Sequence, residues 1–454
     1  MVAECFGINR YIIMILGLLV LSLNYSCFIA YNATFVSMVS SKEVNNSNSP
    51  LSSYRFNFTP FQKGVGFAAP FIGAMIAVLI KGHLLKLFGE HLILSITSIL
   101  ATFLVFLTPF SLSWSFVSFA ILRFIQGFTC SNLLTIAGMI VNSWATLKER
   151  GLFIAVLSSH TELGALLTMG SSGLISSNFG WPTVFYIHTV VLGVLTFLWI
   201  FYYRNKPENH PIVGVNELET ITKGKKHITI TNDCKIPVAR IFGSFVFWGL
   251  VLSIVSYYLV FQFTISFASI YLKNILGVSP SSAGFITLIP LLIALIIKFV
   301  SGYISDRLKI NELLKIKLFN TVGLMGPAIF FIILSINKPG TSKILDIVLV
   351  CLPIAFLGFS SGGFPKCAVL IAGKFTPFLM TVFQFAVGLT CLGTSFLVPK
   401  ITANDTFTEW STVFAFYGLI LSFSNTIFVI SAQSEPAGWA ISPIIEPIKN
   451  KQEA

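Results

Sequence analysis

Long apolar runs alternate with short polar breaks along the chain. Twelve runs stand out, at about residues 11–38, 61–80, 92–112, 114–142, 151–178, 182–203, 240–271, 281–304, 313–335, 344–370, 376–398 and 410–433. About 20 helical residues cross a hydrocarbon core of about 30 Å, so each run predicts one membrane-spanning helix. The first and seventh are long enough to tilt or to extend past the bilayer. Pro290 and Pro353 fall inside the eighth and tenth runs and predict kinks that neighbouring helices tolerate. The longest polar stretch after the first run, Arg204 to Lys235, divides the helices six and six. The pattern therefore predicts an all-α membrane protein of 12 transmembrane helices in two six-helix bundles. Their expected limits are 1–203 and 240–433, with a linker at 204–239 and a tail at 434–454. Two similar halves are a common transporter plan.

Composition agrees: 55% of the 454 residues are hydrophobic and 10% are charged, where a soluble domain carries about 25% charge. The net charge of +12 is explained by where the cations lie. With both termini cytoplasmic, nineteen of the 29 Lys and Arg fall on the inner side, seven on the outer side and three within spans. This bias sets the orientation, and the loop charges face anionic lipid, so no nucleic acid is implied. The first outer loop carries two sequons, at Asn45 and Asn57, the second weakened by Pro60. The opening run is too long for a signal-peptide core. The seven cysteines show neither metal spacing nor a disulfide framework, and no metal or other cofactor is expected.

Enzyme motifs are missing from the sequence. It has no Walker loop, no dinucleotide-binding glycine turn, no His-Glu-x-x-His and no G-x-S-x-G. An enzyme is not expected, and any transport must run downhill or draw on an ion gradient.

Five stretches resemble one family. "NSWATLKERGLF", with Trp144, Glu149 and Arg150, is similar to the segment joining helices four and five in the anion:cation symporter branch of the major facilitator superfamily. "FGWPTVFYI", with Gly180 and Trp181, looks like the start of that branch's helix six. "NKPENHPIVGVNELETI", with Pro207, His210, Glu217 and Ile221, resembles its linker. "SGYISDRL", with Gly302, Asp306 and Arg307, looks like the superfamily's signature between helices eight and nine, and "EPAGWA" resembles the tail. The likeness runs from about residue 10 to 440 and implies the fold, alternating access and transport of a small anionic solute, symported with H⁺ or Na⁺. The branch includes sodium–phosphate cotransporters, sialin and vesicular glutamate transporters. In the loop signature, Gly302 permits close helix approach, and Asp306 and Arg307, with Glu149 and Arg150 in the other half, are the expected conformational latch. In the first half Lys86 and Leu87 stand where the family has an acid and an arginine.

Arg123 is the one charge between Leu92 and Leu147. An arginine at that depth costs about 2.5–3.5 kcal/mol on insertion scales. It either lines a cavity as a bidentate anion ligand, or it snorkels or bonds to backbone carbonyls. Arg123-Phe-Ile-Gln126-Gly127 resembles the family's helix-four motif, whose arginine lines the substrate cavity. Three further family groups are absent: the helix-one arginine falls at Ala30, the helix-four acid at Cys130 and the helix-two histidine at Phe67. Tyr257 stands where glutamate carriers have a helix-seven arginine. Arg123, Gln126, Asn32, Tyr257 and Lys366 are the expected substrate-binding residues, and Glu162 and His160 the expected coupling residues. Glu162 is expected to pair with Arg123 or to replace the missing acid. Lys298 and Lys366 are expected to snorkel toward the cytoplasmic ends, and Gly362, Gly363 and Pro365 to unwind the tenth helix.

The expected function is secondary transport of a small organic anion or inorganic phosphate by a monomer, in the plasma membrane or a vesicular or lysosomal membrane. A facilitator of a neutral solute and a non-transporting sensor or scaffold are the alternatives.

Overall fold

The structure, a computed structural model, describes residues 8–39, 56–146, 149–223, 237–339 and 342–440. Twelve helices in it are long and apolar enough to span a membrane. They are α1 Asn9–Val39, α2 Pro60–Leu85, α3 Leu87–Trp114, α4 Phe116–Trp144, α5 Leu152–Phe179 and α6 Trp181–Tyr202. The second half holds α7 Phe245–Asn274, α8 Ser282–Ser305, α9 Glu312–Ile336, α10 Lys343–Ala372, α11 Phe378–Ile401 and α12 Phe407–Ser431. No strand occurs among the described residues. Each run in the sequence thus became one helix, and the six-and-six division is present.

Within the first bundle α1 packs on α5 and α6, and α2 and α3 both pack on α4; in the second α9 and α7 pack on α12. The bundles meet along α2 with α11 and α5 with α8. Small residues permit this approach, as in other membrane helix pairs. A Cβ on Gly284 of α8 would lie 2.9 Å from the Met169 carbonyl oxygen of α5, and one on Gly64 would meet Phe396 of α11 at 2.7 Å.

Several helices are interrupted along their length. In α4 the helix stops at Cys130 and restarts at Leu133, with Asn132 in the left-handed region (φ 66°). In α5 it breaks between Ser158 and His160. In α7 the segment Phe263–Phe267 widens to a π-helix. In α10 a 3₁₀ turn at Gly358–Gly362 precedes a new helical start at Phe364, as the glycines and proline there predict. The new start is capped: Phe364 N–H donates to Asn320 Oδ1 at 3.2 Å. Freed backbone groups at such breaks need partners, because lipid supplies none.

The linker is pinned to the first bundle. Glu217 accepts from the Asn9 side-chain amide (2.9 Å) and from Arg10 N–H (3.0 Å), so a carboxylate sits on the positive end of α1. Trp144 Nε1 donates to the Arg204 carbonyl at 3.0 Å and its ring meets His210 edge-on. Glu149 accepts from Arg10 Nη2 at 2.9 Å and from Thr146 Oγ1 at 2.8 Å, and also contacts Tyr11 Oη. These groups define one end of the molecule, the linker end.

Candidate functional site in the interface between bundles

Arg123 lies in α4 and is 1% exposed. Its Nη1 donates to the Phe28 carbonyl of α1 and to Gln126 Oε1, both at 2.9 Å. Its Nε donates to the Gly66 carbonyl of α2 at 3.3 Å. That carbonyl is available for a local reason: its helical partner four residues on is Pro70, which has no N–H. Close packing brings the guanidinium there. A Cβ on Gly127 would stand 1.7 Å from the Pro70 carbonyl oxygen, and one on Gly73 would stand 1.9 Å from that of Phe124. The guanidinium carbon also sits 5.0 Å from the Tyr31 ring centroid and 5.9 Å from that of Phe28. Gln126 continues the network, donating to Thr108 Oγ1 at 2.8 Å and to the Leu104 carbonyl at 3.3 Å. Among the described residues, no carboxylate pairs with Arg123, and its Nη2 makes no hydrogen bond.

Glu162 belongs to a different cluster. Its Oε1 accepts from Lys298 Nζ of α8 at 2.8 Å and from Tyr257 Oη of α7 at 3.2 Å, and its Oε2 from Thr161 Oγ1 at 2.9 Å. The expected pairing with Arg123 is not what the structure shows, because α8 brings a lysine to the α5 carboxylate across the bundle interface. Lys298 correspondingly does not snorkel to the end of its helix; it also reaches the Ser158 carbonyl, at 3.5 Å, beside the α5 break. The two residues border a cleft of about 10 Å³, room for about one water, with Tyr257, Phe261, Ala294, Leu357 and Gly358. His160 lies in the same helix turn, is buried, and hydrogen-bonds through Nδ1 to the Leu157 carbonyl at 2.8 Å.

The other expected residues scatter. Asn32 joins the bundles, its amide donating to Ser266 Oγ of α7 at 2.7 Å. Lys366 stands nearer the linker end and pairs with Glu312 of α9 at 2.7 Å; Glu312 also holds Lys315 at 2.8 Å. Arg307 is exposed, with its guanidinium 4.6 Å over the Tyr303 ring. Gly302 faces open space. The side chains of Asp306 and Arg150 lie outside the described part. Of the sequons, Asn57 is exposed, with Thr59 capping α2, and Asn45 lies outside the described residues. Among the described residues no cluster of metal-ligating side chains occurs.

The second apolar run, 61–80, ends just before Lys81. In the structure α2 runs through that residue, which is 1% exposed. Its Nζ donates to the Thr129 carbonyl at 2.8 Å and the Ser131 carbonyl at 3.3 Å. It therefore caps the negative end of the broken first half of α4, a partner that lies 48 residues away in sequence.

The far side of the interface, opposite the linker end, is shut by Asn32–Ser266, by Phe67 against Phe267 (5.5 Å) and by Phe61 against Phe396 (6.1 Å). Two six-helix bundles that meet over a buried polar interface are the architecture of a membrane transporter. The chain belongs to the Major Facilitator Superfamily, whose family model matches residues 14–394. It is 24% identical over 383 residues to sodium-dependent phosphate transport protein 3 of Mus musculus, covering 83% of this chain and 80% of that one. It is 23% identical to sialin of Homo sapiens, covering 82% and 75%. Its family and these relatives are transporters rather than enzymes, and the relatives are of the kind that the resemblance to the anion:cation symporter branch implies. Among solved structures a D-xylose–proton symporter shares the fold with a TM-score of 0.68 at 18% identity, covering 95% of this chain and 99% of that one.

Proposed function

We propose that this protein moves a small organic anion or inorganic phosphate by alternating access, driven by H⁺ or Na⁺, with Arg123 as the anion's anchor and Glu162 as the coupling acid. The observation that carries the reading is Arg123. A guanidinium stays protonated in a protein, and this one is buried with no carboxylate beside it among the described residues and with one nitrogen unbonded. Such a site attracts an anion. Relatives named for phosphate, sialic acid and urate point the same way. In this reading the linker end is cytoplasmic, as the Lys and Arg bias implies, and the segment with Asn45 and Asn57 faces outward.

The test is uptake into proteoliposomes of labelled phosphate, sialic acid, urate, glutamate and a neutral sugar, with and without H⁺ and Na⁺ gradients, for wild type and Arg123→Gln. Saturable entry of one anion, lost in the variant while the protein stays folded, is the expected result. Entry of the anion at equal rates in both proteins would remove Arg123 from the site. One observation favours a second reading, transport of a neutral solute: Asn32 Oδ1, Gln262 Nε2 and Tyr31 Oη are buried without hydrogen bonds among the described residues. They would suit hydroxyl groups, and entry of the sugar alone would select that reading.

A further inference from the structure

The Glu162–Lys298 pair joins a helix of one bundle to a helix of the other. It is the link that separation of α5 from α8 must break. Its surroundings offer little else to either charge. The helices around Glu162 bring Lys298 from α8, Tyr257 and Tyr258 from α7, His160 from its own helix and Tyr25 from α1. From α10 the cleft receives Ile354, Leu357 and Gly358, which bear no charge. Two separated ions in such a cleft are strongly unfavourable, because breaking a buried pair leaves each charge uncompensated. Parting therefore requires a new partner for the ammonium and neutralisation of the carboxylate.

The geometry points to Lys298 as the second bundle's ligand for the substrate anion, with Glu162 holding that place in the unloaded closed state and leaving it as a protonated acid when the anion arrives. This rests on the anion reading given above. The charge balances: a lysine–glutamate pair becomes a lysine–anion pair plus a neutral acid, the proton coming from water. For a monoanion the exchange is electroneutral and fixes one proton per anion. Tyr257, which donates to Glu162 Oε1 at 3.2 Å, is placed to donate to the incoming anion instead. Thr161 keeps the departing carboxyl hydrogen-bonded within α5.

The experiment uses the full chain in lipid nanodiscs, with four proteins: wild type, Glu162→Gln, Lys298→Met and the double variant. The double variant removes both charges, so it folds without a lone buried ion. In the first arm, hydrogen exchange is followed at the linker ends of α5 and α8 without ligand. All three variants are expected to exchange faster there than wild type, since the tether is gone. Unchanged protection in Glu162→Gln and in the double variant would overturn the inference. In the second arm, binding is measured with sialic acid, which stays a monoanion between about pH 5 and pH 8, and with urate and phosphate. Wild-type affinity is expected to rise by up to about tenfold per unit fall in pH, the signature of one linked proton. Glu162→Gln should bind with no such slope, and Lys298→Met should bind about tenfold to a hundredfold more weakly, as loss of a charged hydrogen bond predicts. A pH slope retained in Glu162→Gln, or undiminished binding by Lys298→Met, would also overturn it. If no anion binds wild type while the tether arm behaves as expected, the anion reading fails and Lys298 loses its ligand role with it.

Discussion

Replacing Gly127 with alanine tests how Arg123 is held. The added Cβ would lie 1.7 Å from the Pro70 carbonyl oxygen and 2.4 Å from its carbon, both backbone atoms. Real Cβ contacts do not fall under 3.0 Å, so α2 and α4 must part by about 1.3 Å, the difference between 1.7 Å and 3.0 Å. The Arg123 Nε–Gly66 hydrogen bond, now 3.3 Å, cannot survive that shift. Overpacking costs about 1–3 kcal/mol and a lost hydrogen bond from a charged donor about 1.5–3 kcal/mol, together about 3–6 kcal/mol. Gly138 in the same helix is the control. Nothing lies within 4 Å of a Cβ there, so alanine should be neutral or gain up to about 1 kcal/mol of helix propensity. The assay is reversible unfolding in mixed micelles of increasing SDS fraction. Equal unfolding midpoints for Gly127→Ala and Gly138→Ala would refute the account of how Arg123 is positioned.

Other outcomes follow from the linker end and the outer segment. Glu217→Ala removes the carboxylate cap on α1 and should cost about 1–2 kcal/mol, read as faster hydrogen exchange in the first turn of α1. Burial pushes the Glu149 carboxyl up, but hydrogen bonds from Tyr11, Arg10 and Thr146 outweigh it and hold it below the usual carboxylate range. A depressed carboxylate stabilises above its unfolded pKa of about 4.3. The Arg10–Glu149 contact should therefore persist at mildly acidic pH and weaken only as the pH falls below about 4, seen as a rise in exchange of the segment around Glu149. With the Asn404 sequon between α11 and α12 also removed, Asn45→Gln should abolish the endoglycosidase-sensitive mobility shift while Asn57→Gln leaves it; a shift that survives loss of Asn45, Asn57 and Asn404 together would refute the outward placement of these segments.

The spans were legible because an apolar run of about 20 residues has one use in a membrane chain. The interruption of α10 was legible as well, since Gly362, Gly363 and Pro365 are chemically unsuited to continuous helix. The breaks in α4 and α5 were not, because Ser131, Asn132, Ser158 and Ser159 are residues that intact membrane helices also carry. Lys81 and Lys298 show what local reading misses. Lys81 looked like the polar margin of an apolar run, and Lys298 like a lysine within its span that snorkels to the end. Each owes its place to a partner supplied by a distant helix, the α4 carbonyls for Lys81 and Glu162 for Lys298. Arg123 was legible as an anomaly, and the reason it can be accommodated, a carbonyl released by Pro70 and exposed by Gly127 packing, is spread over two helices.

The bonds Arg123 makes set a limit on selectivity. With Nε and Nη1 committed to α1, α2 and Gln126, the guanidinium works as a joint between helices and has a single unbonded nitrogen to offer. A joint cannot present the two-pronged fork by which arginine grips planar acids. In the proposed reading, a carrier built this way should recognise its anion by charge more than by shape. Its range of accepted anions should be broad, and its discrimination should come from the groups the opposite bundle brings to the same interface.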